Sequence, residues 1–252
     1  CIVLNNNLIA CNTYRVSLFA PNIAQKALPG QFVNILPDSK WDLAMRRPMS
    51  LAGVNGDNIQ LIYKVFGHGT DLMSKWKKGD KIDIIGPLGN SWCDFKKTPV
   101  LIGGGVGIAP IIYLSNYLKK ENILHYLIMG AQDKNGHFLD HDIKNRVLLS
   151  TDDGSAGIKG NVLDAFKVLN LRNDEIKIFS CGPSIMMESL KGFSSINDID
   201  CDLALETIMA CGFGICQGCT VEYTSGEIES PSYRSKYGLV CLDGPIFNSK
   251  KI

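Results

Sequence analysis

The chain has 252 residues, with 26 Lys and Arg against 25 Asp and Glu, so its formal net charge is +1. At roughly 100–200 residues per domain, this length predicts two domains with a small appendage. The apolar share of 45% excludes bulk disorder. The near-neutral charge argues against a nucleic-acid-binding surface, which needs a basic stripe.

No targeting or membrane segment is predicted, because the longest apolar stretch, residues 99–114, is shorter than the roughly 20 residues of a spanning helix. We therefore expect a cytoplasmic protein.

Residues 1–95 are predicted to form an antiparallel β-barrel. Short apolar runs rich in β-branched and aromatic residues occur at 13–19, 31–36 and 59–65, and glycine-containing turns separate them. A short helix is predicted at 71–76, where apolar residues recur at helical spacing.

One segment of this region carries candidate ligand-binding groups. Residues 47–50 read Arg-Pro-Met-Ser. The guanidinium of Arg47 can pair with a phosphate, and the hydroxyl of Ser50 can hydrogen-bond a ring nitrogen. A lone Arg-Pro pair is ordinarily a surface turn, so the residues alone leave both interpretations open.

Residues 96–200 alternate between predicted strands and helices. This alternation is typical of a parallel α/β sheet. The strands are predicted at 100–102, 125–129, 146–150 and 176–180, and the helices at 110–119, 161–168 and 183–191. Residues 201–252 are rich in Cys and Gly and are predicted to form a third, small domain.

A glycine loop follows the first strand of the α/β region and opens a helix. Glycines let the backbone approach a pyrophosphate, and the helix N-terminus offers free N–H groups. The match to G-x-G-x-x-G is imperfect, because Pro110 stands where the third glycine would be. A simple tight turn is therefore the alternative. The candidate nucleotide-binding residues of the loop are Gly103, Gly104, Gly105 and Gly107.

Two further residues bear on the nucleotide. Asp133 is a candidate partner for a ribose hydroxyl, and no arginine near Gln132 would meet a 2′-phosphate, so NAD is favoured over NADP. Cys181 lies at the C-terminal end of a predicted parallel strand, where ligands bind in open α/β sheets.

Nine cysteines, an odd number, do not fit a disulfide framework, which belongs to short secreted chains with an even count. The pattern indicates instead a reduced compartment and one metal site. Cysteines outside the C-terminal group are expected to be small buried apolar residues; these are Cys1, Cys11, Cys93 and Cys201.

The metal site is predicted from the spacing of Cys211, Cys216, Cys219 and Cys241. This C-x4-C-x2-C…C pattern is that of plant-type [2Fe–2S] sites. The glycines between the cysteines let a loop wrap a cluster and direct N–H groups to its sulfurs. A structural zinc site is one alternative, although such sites usually carry two C-x2-C pairs. A chance group of buried thiols is the other.

Taken in order, these segments resemble the ferredoxin-NADP reductase superfamily. Arg47–Ser50 resembles its R-P-x-S flavin motif, and Gly69–Thr70 resembles its pyrophosphate-binding Gly-Thr. The glycine loop and Cys181–Pro183 look like its pyridine-nucleotide motifs. The C-terminal segments 206–219 and 240–247 more narrowly resemble the electron-transfer subunits of two-subunit, NAD-linked dihydroorotate dehydrogenases. The resemblance covers nearly the whole chain.

The resemblance implies three cofactors and their sites. FAD would contact Arg47, Pro48, Met49, Ser50, Ile62, Tyr63, Lys64, Gly69 and Thr70. NAD would contact Gly103, Gly104, Gly105, Gly107, Cys181, Gly182 and Pro183. A [2Fe–2S] cluster would be held by Cys211, Cys216, Cys219 and Cys241. Met49 departs from the aromatic residue that many superfamily members have at that position. Ser50 and Cys181 are expected closest to the reacting rings.

The resemblance also implies an activity. The chain would be an oxidoreductase subunit that passes electrons from an FMN-containing dihydroorotate dehydrogenase subunit, through [2Fe–2S] and FAD, to NAD+ in pyrimidine (UMP) biosynthesis. It implies a heterotetramer with two copies of each subunit, and no catalytic side chain is assigned here because the flavin carries the chemistry. One alternative is the FAD/[2Fe–2S] subunit of an NAD(P)H–ferredoxin or sulfide-type oxidoreductase. The other is a non-catalytic, zinc-stabilised binding protein.

Overall fold

The N-terminal region of the computed structural model is an antiparallel sheet of six strands in the order β1-β2-β5-β4-β3-β6. The structure describes residues 1–38, 45–224 and 233–252. The strands are β1 (Ile2–Ala10), β2 (Thr13–Phe19), β3 (Phe32–Leu36), β4 (Arg47–Asn55), β5 (Asn58–Lys64) and β6 (Asp83–Leu88); the helices are α1 (Pro21–Ala24) and α2 (His68–Ser74).

Backbone hydrogen bonds close this sheet into the predicted barrel. The amide of Val3 donates to the carbonyl of Asp80 at 2.9 Å, and the amide of Ile82 donates to the carbonyl of Cys1 at 2.9 Å. These bonds join β1 to the segment that leads into β6, so the two ends of the strand order meet. Alternate side chains of the strands fill the interior, with Val16, Leu18 and Leu61 fully buried.

The second region is a parallel sheet with helices, as predicted. It contains β7 (Thr98–Gly104), α3 (Ile108–Lys120), β8 (Tyr126–Ala131), β9 (Val147–Thr151), β10 (Ile158–Lys159), α4 (Val162–Val168), β11 (Ile176–Cys181), α5 (Ser184–Ile196) and β12 (Asp200–Ala204). The strand order is β10-β9-β8-β7-β11-β12, completed by one antiparallel edge strand, β15 (Ile246–Asn248). The chain therefore changes direction across the sheet between β7 and β11, which is where open α/β sheets bind ligands.

The C-terminal region adds β13 (Thr220–Glu222), α6 (Tyr233–Lys236), β14 (Tyr237–Leu239) and β15 (Ile246–Asn248). β13 and β14 form a small antiparallel pair, while β15 pairs with β12. The boundary predicted between residues 200 and 201 falls inside β12, which continues the parallel sheet. The division into 1–95, 96–200 and 201–252 stays a prediction. In the described ranges, no helix combines the length and the apolar character required to cross a bilayer.

Candidate functional site

Residues from all three regions line one cavity of about 260 Å³. The barrel contributes β4, β5 and the start of α2, the parallel sheet contributes the start of α3, and the C-terminal region contributes the chain after β12. The lining residues are Phe32, Pro48, Met49, Ser50, Ile62, Tyr63, Lys64, Phe66, Thr70, Val106, Ala109, Leu205, Glu206, Thr207, Met209 and Pro245. Most residues of the predicted FAD set are therefore gathered at one place.

Arg47 and Gly69, the other two residues of that set, lie against each other. A Cβ atom built on Gly69 would stand 2.9 Å from Nε of Arg47, so glycine lets the backbone approach the guanidinium. Arg47 donates through Nη1 to the carbonyl of Met45 at 2.6 Å and forms no ion pair within the described ranges. A guanidinium without a carboxylate partner suits a phosphate ligand.

Thr70 holds the turn beside this pair. Its Oγ1 accepts from the amides of Phe66 at 3.0 Å and Gly67 at 3.2 Å, and donates to the carbonyl of Gly67 at 3.0 Å. Phe66 lines the cavity with an exposed ring, and the ammonium of Lys64 lies 5.5 Å from the centre of that ring. Met49 lines the cavity at the position where many members of the ferredoxin-NADP reductase superfamily have an aromatic residue. Here Phe32 and Phe66 contribute aromatic rings to the cavity lining.

Tyr63 meets the cavity differently from its neighbours. Its hydroxyl donates to Oδ1 of Asn6 at 3.0 Å, and its ring stacks on Tyr14 at a centroid distance of 5.7 Å. Burial raises the pKa of this hydroxyl well above its usual value. The hydroxyl is therefore committed to the barrel interior. Ile62 instead packs with Ala109 at the boundary with the parallel sheet.

The predicted nucleotide motifs lie side by side at the carboxyl ends of two neighbouring strands. Cys181 at the end of β11 pairs with Gly103 of β7. A Cβ atom built on Gly107 would stand 2.6 Å from the carbonyl oxygen of Cys181, so the two loops require glycine to pack this closely. Val106 and Ala109, beside these glycines, line the cavity. The nucleotide loop therefore faces the same cavity as the flavin motif.

Glu206 is an ionisable group of this cavity that sequence reasoning missed. Glu206 is one of the lining residues, and the Sγ–H of Cys181 points to its Oε1 across 3.9 Å. Burial raises the pKa of the Cys181 thiol well above its usual range, and Glu206 raises it further. Desolvation by the surrounding protein raises the pKa of Glu206 in turn. The available signal was a carboxylate directly after a buried strand, at the carboxyl edge of a parallel sheet.

The four C-terminal cysteines lie in two close pairs. Sγ of Cys211 is 3.3 Å from Sγ of Cys216, and Sγ of Cys219 is 3.2 Å from Sγ of Cys241. The second pair is buried, whereas Cys216 is exposed. Among the described residues, no three His, Cys, Asp or Glu side chains are gathered as ligands of a single ion. Two pairs fit a binuclear cluster, in which each iron takes two thiolates, better than a zinc site with four thiolates around one centre.

Backbone amides are directed at these sulfurs. The amide of Cys216 donates to Sγ of Cys211 at 3.4 Å, and the amide of Cys241 donates to Sγ of Cys219 at 3.4 Å. Burial on its own would raise the pKa of Cys211, but N–H groups of Cys216, Phe213 and Ile215 outweigh it and hold the pKa below its usual value. Such donors stabilise thiolate sulfur, as a cluster requires.

The remaining cysteines partly contradict their prediction. All nine cysteines are free thiols, and Cys201 is fully buried as expected. Cys11 and Cys93 are exposed, so the prediction of buried apolar thiols was wrong for these two. Cys1 is half-buried and packs against the barrel core. Cys11 lies in the turn between β1 and β2, and Cys93 in the connection after β6, where loops run over the surface.

Comparison with known proteins agrees with this arrangement. The model of the iron-sulfur cluster binding domain of dihydroorotate dehydrogenase B matches residues 206–252. The dihydroorotate dehydrogenase B (NAD(+)) electron transfer subunit of Fusobacterium nucleatum is 34% identical over 259 aligned positions, covering 98% of this chain and 95% of that protein. Its counterpart from Desulforamulus reducens is 32% identical and covers 99% and 96%.

A solved structure extends the likeness to the fold. The NADH-dependent reduced ferredoxin-NADP oxidoreductase aligns with a TM-score of 0.84 and 29% identity, covering 99% of this chain and 88% of that one. The similarity in sequence and in fold covers nearly the full length of the chain. The chain therefore belongs to the family of dihydroorotate dehydrogenase B electron transfer subunits.

Proposed function

We propose that this chain is the electron transfer subunit of an NAD-dependent dihydroorotate dehydrogenase, an oxidoreductase of pyrimidine (UMP) biosynthesis. In this function it carries electrons from an FMN-containing catalytic subunit, through a [2Fe–2S] cluster and FAD, to NAD+. The observation that carries the proposal is the single cavity at which the flavin motif, the nucleotide loop and the cysteine segment meet. Bound FAD supplies the required chemistry, because a flavin exchanges electrons singly with a cluster and in pairs with a nicotinamide.

The site assignments form part of this proposal. Arg47–Ser50, Ile62–Lys64 and Gly69–Thr70 bind FAD, and the guanidinium of Arg47, which has no carboxylate partner among the described residues, is directed to a phosphate. The glycine loop and Cys181–Pro183 bind NAD. The two thiol pairs each hold one iron of the cluster.

Residues 211–219, which carry Cys211, Cys216 and Cys219 and are called the cysteine loop below, also offer a surface for the catalytic subunit. Apolar side chains stand exposed on and beside this loop, which is unusual unless a partner covers them; they are Ile208, Phe213, Ile215 and Leu242. We propose that the catalytic subunit docks here, in a heterotetramer with two copies of each subunit. The five cysteines outside the proposed cluster ligands form no disulfide, which supports a reducing, cytoplasmic location.

The first experiment tests the cofactors. The purified chain should show flavin absorbance and the broad bands of an iron–sulfur cluster, with FAD, iron and sulfide confirmed by analysis. Cys216→Ser should abolish the cluster bands and keep the flavin. Cys93→Ser, a change at an exposed thiol outside the loop, should keep both. A full cluster spectrum in Cys216→Ser contradicts the ligand assignment. Zinc without iron in the purified chain favours the alternative of a zinc-stabilised binding protein.

The second experiment identifies the partner. Mixing the chain with an FMN dihydroorotate dehydrogenase subunit should yield NADH from dihydroorotate and NAD+, and Cys216→Ser should lose this activity. The likeness to the NADH-dependent reduced ferredoxin-NADP oxidoreductase supports a second candidate, a ferredoxin-linked subunit. Electron transfer to ferredoxin, with none from dihydroorotate in the presence of a competent catalytic subunit, would favour that candidate.

A further inference from the structure

Two asparagines of the barrel attach the C-terminal region to it. Asn34 lies in β3 and Asn90 follows β6. Each reaches across to backbone atoms of the cysteine-bearing segment, one at its first ligand and the other shortly after its last. Asn90 forms hydrogen bonds through both ends of its side-chain amide. Asn34 forms one through its NH2 end only, among the described residues.

Asn90 is a fully paired anchor. Its side-chain amide donates to the carbonyls of Asp243 and Ile246, both at 2.9 Å, and its Oδ1 accepts from the amide of Ile246 at 3.0 Å. Its own backbone amide donates to the carbonyl of Gly244 at 2.6 Å. A fully satisfied amide of this kind stabilises the structure, and stability alone explains its presence.

Asn34 is only half paired although it has no exposed surface. Its Nδ2 donates to the carbonyl of Cys211 at 2.9 Å, while its Oδ1 is buried with no partner among the described residues. Because the contacted atom is a carbonyl oxygen, only the NH2 end of the amide can make this bond, so its orientation is fixed. Among the described residues, the donation to the Cys211 carbonyl is thus the one side-chain hydrogen bond of Asn34.

The cysteine loop is shaped to receive this amide. Gly212 has a φ of +79°, and a Cβ atom built on it would stand 2.5 Å from Nδ2 of Asn34. Only glycine therefore lets the loop lie on the amide. On its other side, Asn34 is paired in register with Pro48 of the flavin motif in β4. Residue 34 thus pairs through its strand backbone with the flavin motif and through its side chain with the first ligand of the cluster.

We propose that Asn34 is a positioning residue: its hydrogen bond to the Cys211 carbonyl fixes the cysteine loop against the flavin-motif strand and thereby sets the redox equilibrium between FAD and the cluster. This inference rests on the proposed function, because it requires both cofactors. The NH2 group of Asn34 brings the positive end of its dipole to the loop that would surround a bound cluster, where an added electron would reside on the iron. It also fixes Cys211, whose sulfur accepts from the amide of Cys216. Both effects favour the reduced cluster.

The test replaces Asn34 by Leu, which has a similar size and no donor. The intact chain, with both cofactors bound, is titrated anaerobically with a reductant in the presence of redox dyes. Flavin reduction is followed by absorbance and cluster reduction by electron paramagnetic resonance. We expect the ratio of reduced cluster to reduced flavin to fall by about two- to tenfold, the range that one hydrogen bond covers. The resonance signal should also change shape, with iron and sulfide content kept.

Two further variants make the result decisive. Asn197 donates in the same way to the carbonyl of Phe193, at 2.8 Å, at the end of α5, so Asn197→Leu removes an equivalent bond away from the cysteine loop and should leave the ratio unchanged. Asn34→Ser leaves room for a water to bridge to Cys211 and should give a smaller shift in the same direction. It also serves as the test if the Leu variant does not fold.

The outcomes separate cleanly. A ratio equal to that of the wild type in the Asn34 variants overturns the inference. Loss of iron in both Asn34 variants also overturns it, because Asn34 would then belong to the binding of the cluster. A wild-type chain that lacks FAD or cluster instead contradicts the proposed function. A wild-type chain that holds both cofactors and fails only with dihydroorotate contradicts the proposed partner and leaves the role of Asn34 standing.

Discussion

At the scale of single residues, the two glycines at the start of α2, Gly67 and Gly69, are expected to differ in their effect on FAD affinity. Gly69 lies against Arg47 and Gly67 lies in open space, since a Cβ atom built on Gly67 meets nothing within 4 Å. Gly69→Ala should displace the guanidinium and weaken FAD binding by about tenfold, as expected for the loss of one charge-assisted hydrogen bond. FAD fluorescence on titration of the cofactor-free chain measures this affinity.

Gly67→Ala is the matched control, because it makes the same chemical change two residues away. It should bind FAD as the wild type does. Equal weakening in the two variants would show that the backbone freedom of the turn matters, and not the approach of Gly69 to Arg47.

Residues also show where sequence reasoning reaches its limit. The four cluster cysteines are recognisable because a metal site requires a short, regular spacing. Asn34 is not recognisable, because it acts through one contact with a residue distant in sequence and leaves no local pattern. Glu206 has only the weak signal of a carboxylate that follows a buried strand of the parallel sheet. Cys11 and Cys93 were wrongly expected inside, since residue type alone does not report whether a cysteine lies in a strand or in a turn.

At the scale of elements, the strands and helices that apolar runs and periodicity predict lie within a few residues of elements of the structure. The run predicted at 13–19 coincides with β2, and the helix predicted at 161–168 matches α4, with Asn161 as its cap. The short helix α2 begins three residues before its prediction, because Gly67 and Thr70 close its first turn by hydrogen bonds that periodicity does not reveal. β15 has only three residues and exists because β12 offers an edge, which is a tertiary effect.

A buried ion pair lies at the edge of the sheet where β12 meets β15, and we expect its loss to destabilise the fold. Lys177 of β11 has 7% of its side chain exposed and contacts the carboxylate of Asp202 in β12 at 2.9 Å. Asn248 of β15 donates to the same carboxylate at 3.1 Å. Lys177→Met should leave this buried carboxylate without its cation and lower the free energy of unfolding by about 3 kcal/mol, measured by urea denaturation.

The control for this change is an exposed ion pair. Lys167 and Asp164 in α4 are 3.2 Å apart, with 64% and 42% of their side chains exposed. Lys167→Met should change the free energy of unfolding by less than about 1 kcal/mol. A similar loss in both variants would mean that burial of the Lys177 group does not govern its contribution.

At the scale of the whole molecule, the cysteine-bearing segment is part of the scaffold as well as a carrier of metal ligands. The cavity wall from this segment consists of Leu205, Glu206, Thr207, Met209 and Pro245. Asn90 hydrogen-bonds to Asp243 and Ile246, and β15 completes the sheet. Removal of residues 206–252 therefore removes one wall of the FAD cavity and exposes the edge of β12. We expect a truncated chain 1–205 to bind FAD at least about tenfold more weakly and to self-associate through the free strand edge.

FAD titration and size-exclusion chromatography test this expectation, and Cys216→Ser is its matched control. That variant loses the cluster but keeps the segment, so it should retain FAD affinity and remain monodisperse if the segment acts as a wall. Equal loss of FAD in the two proteins would assign the effect to the cluster. A truncated chain that binds FAD as tightly as the intact one would show that the barrel and the parallel sheet form the cavity without the C-terminal region, and that the lining by Glu206 and Met209 is incidental.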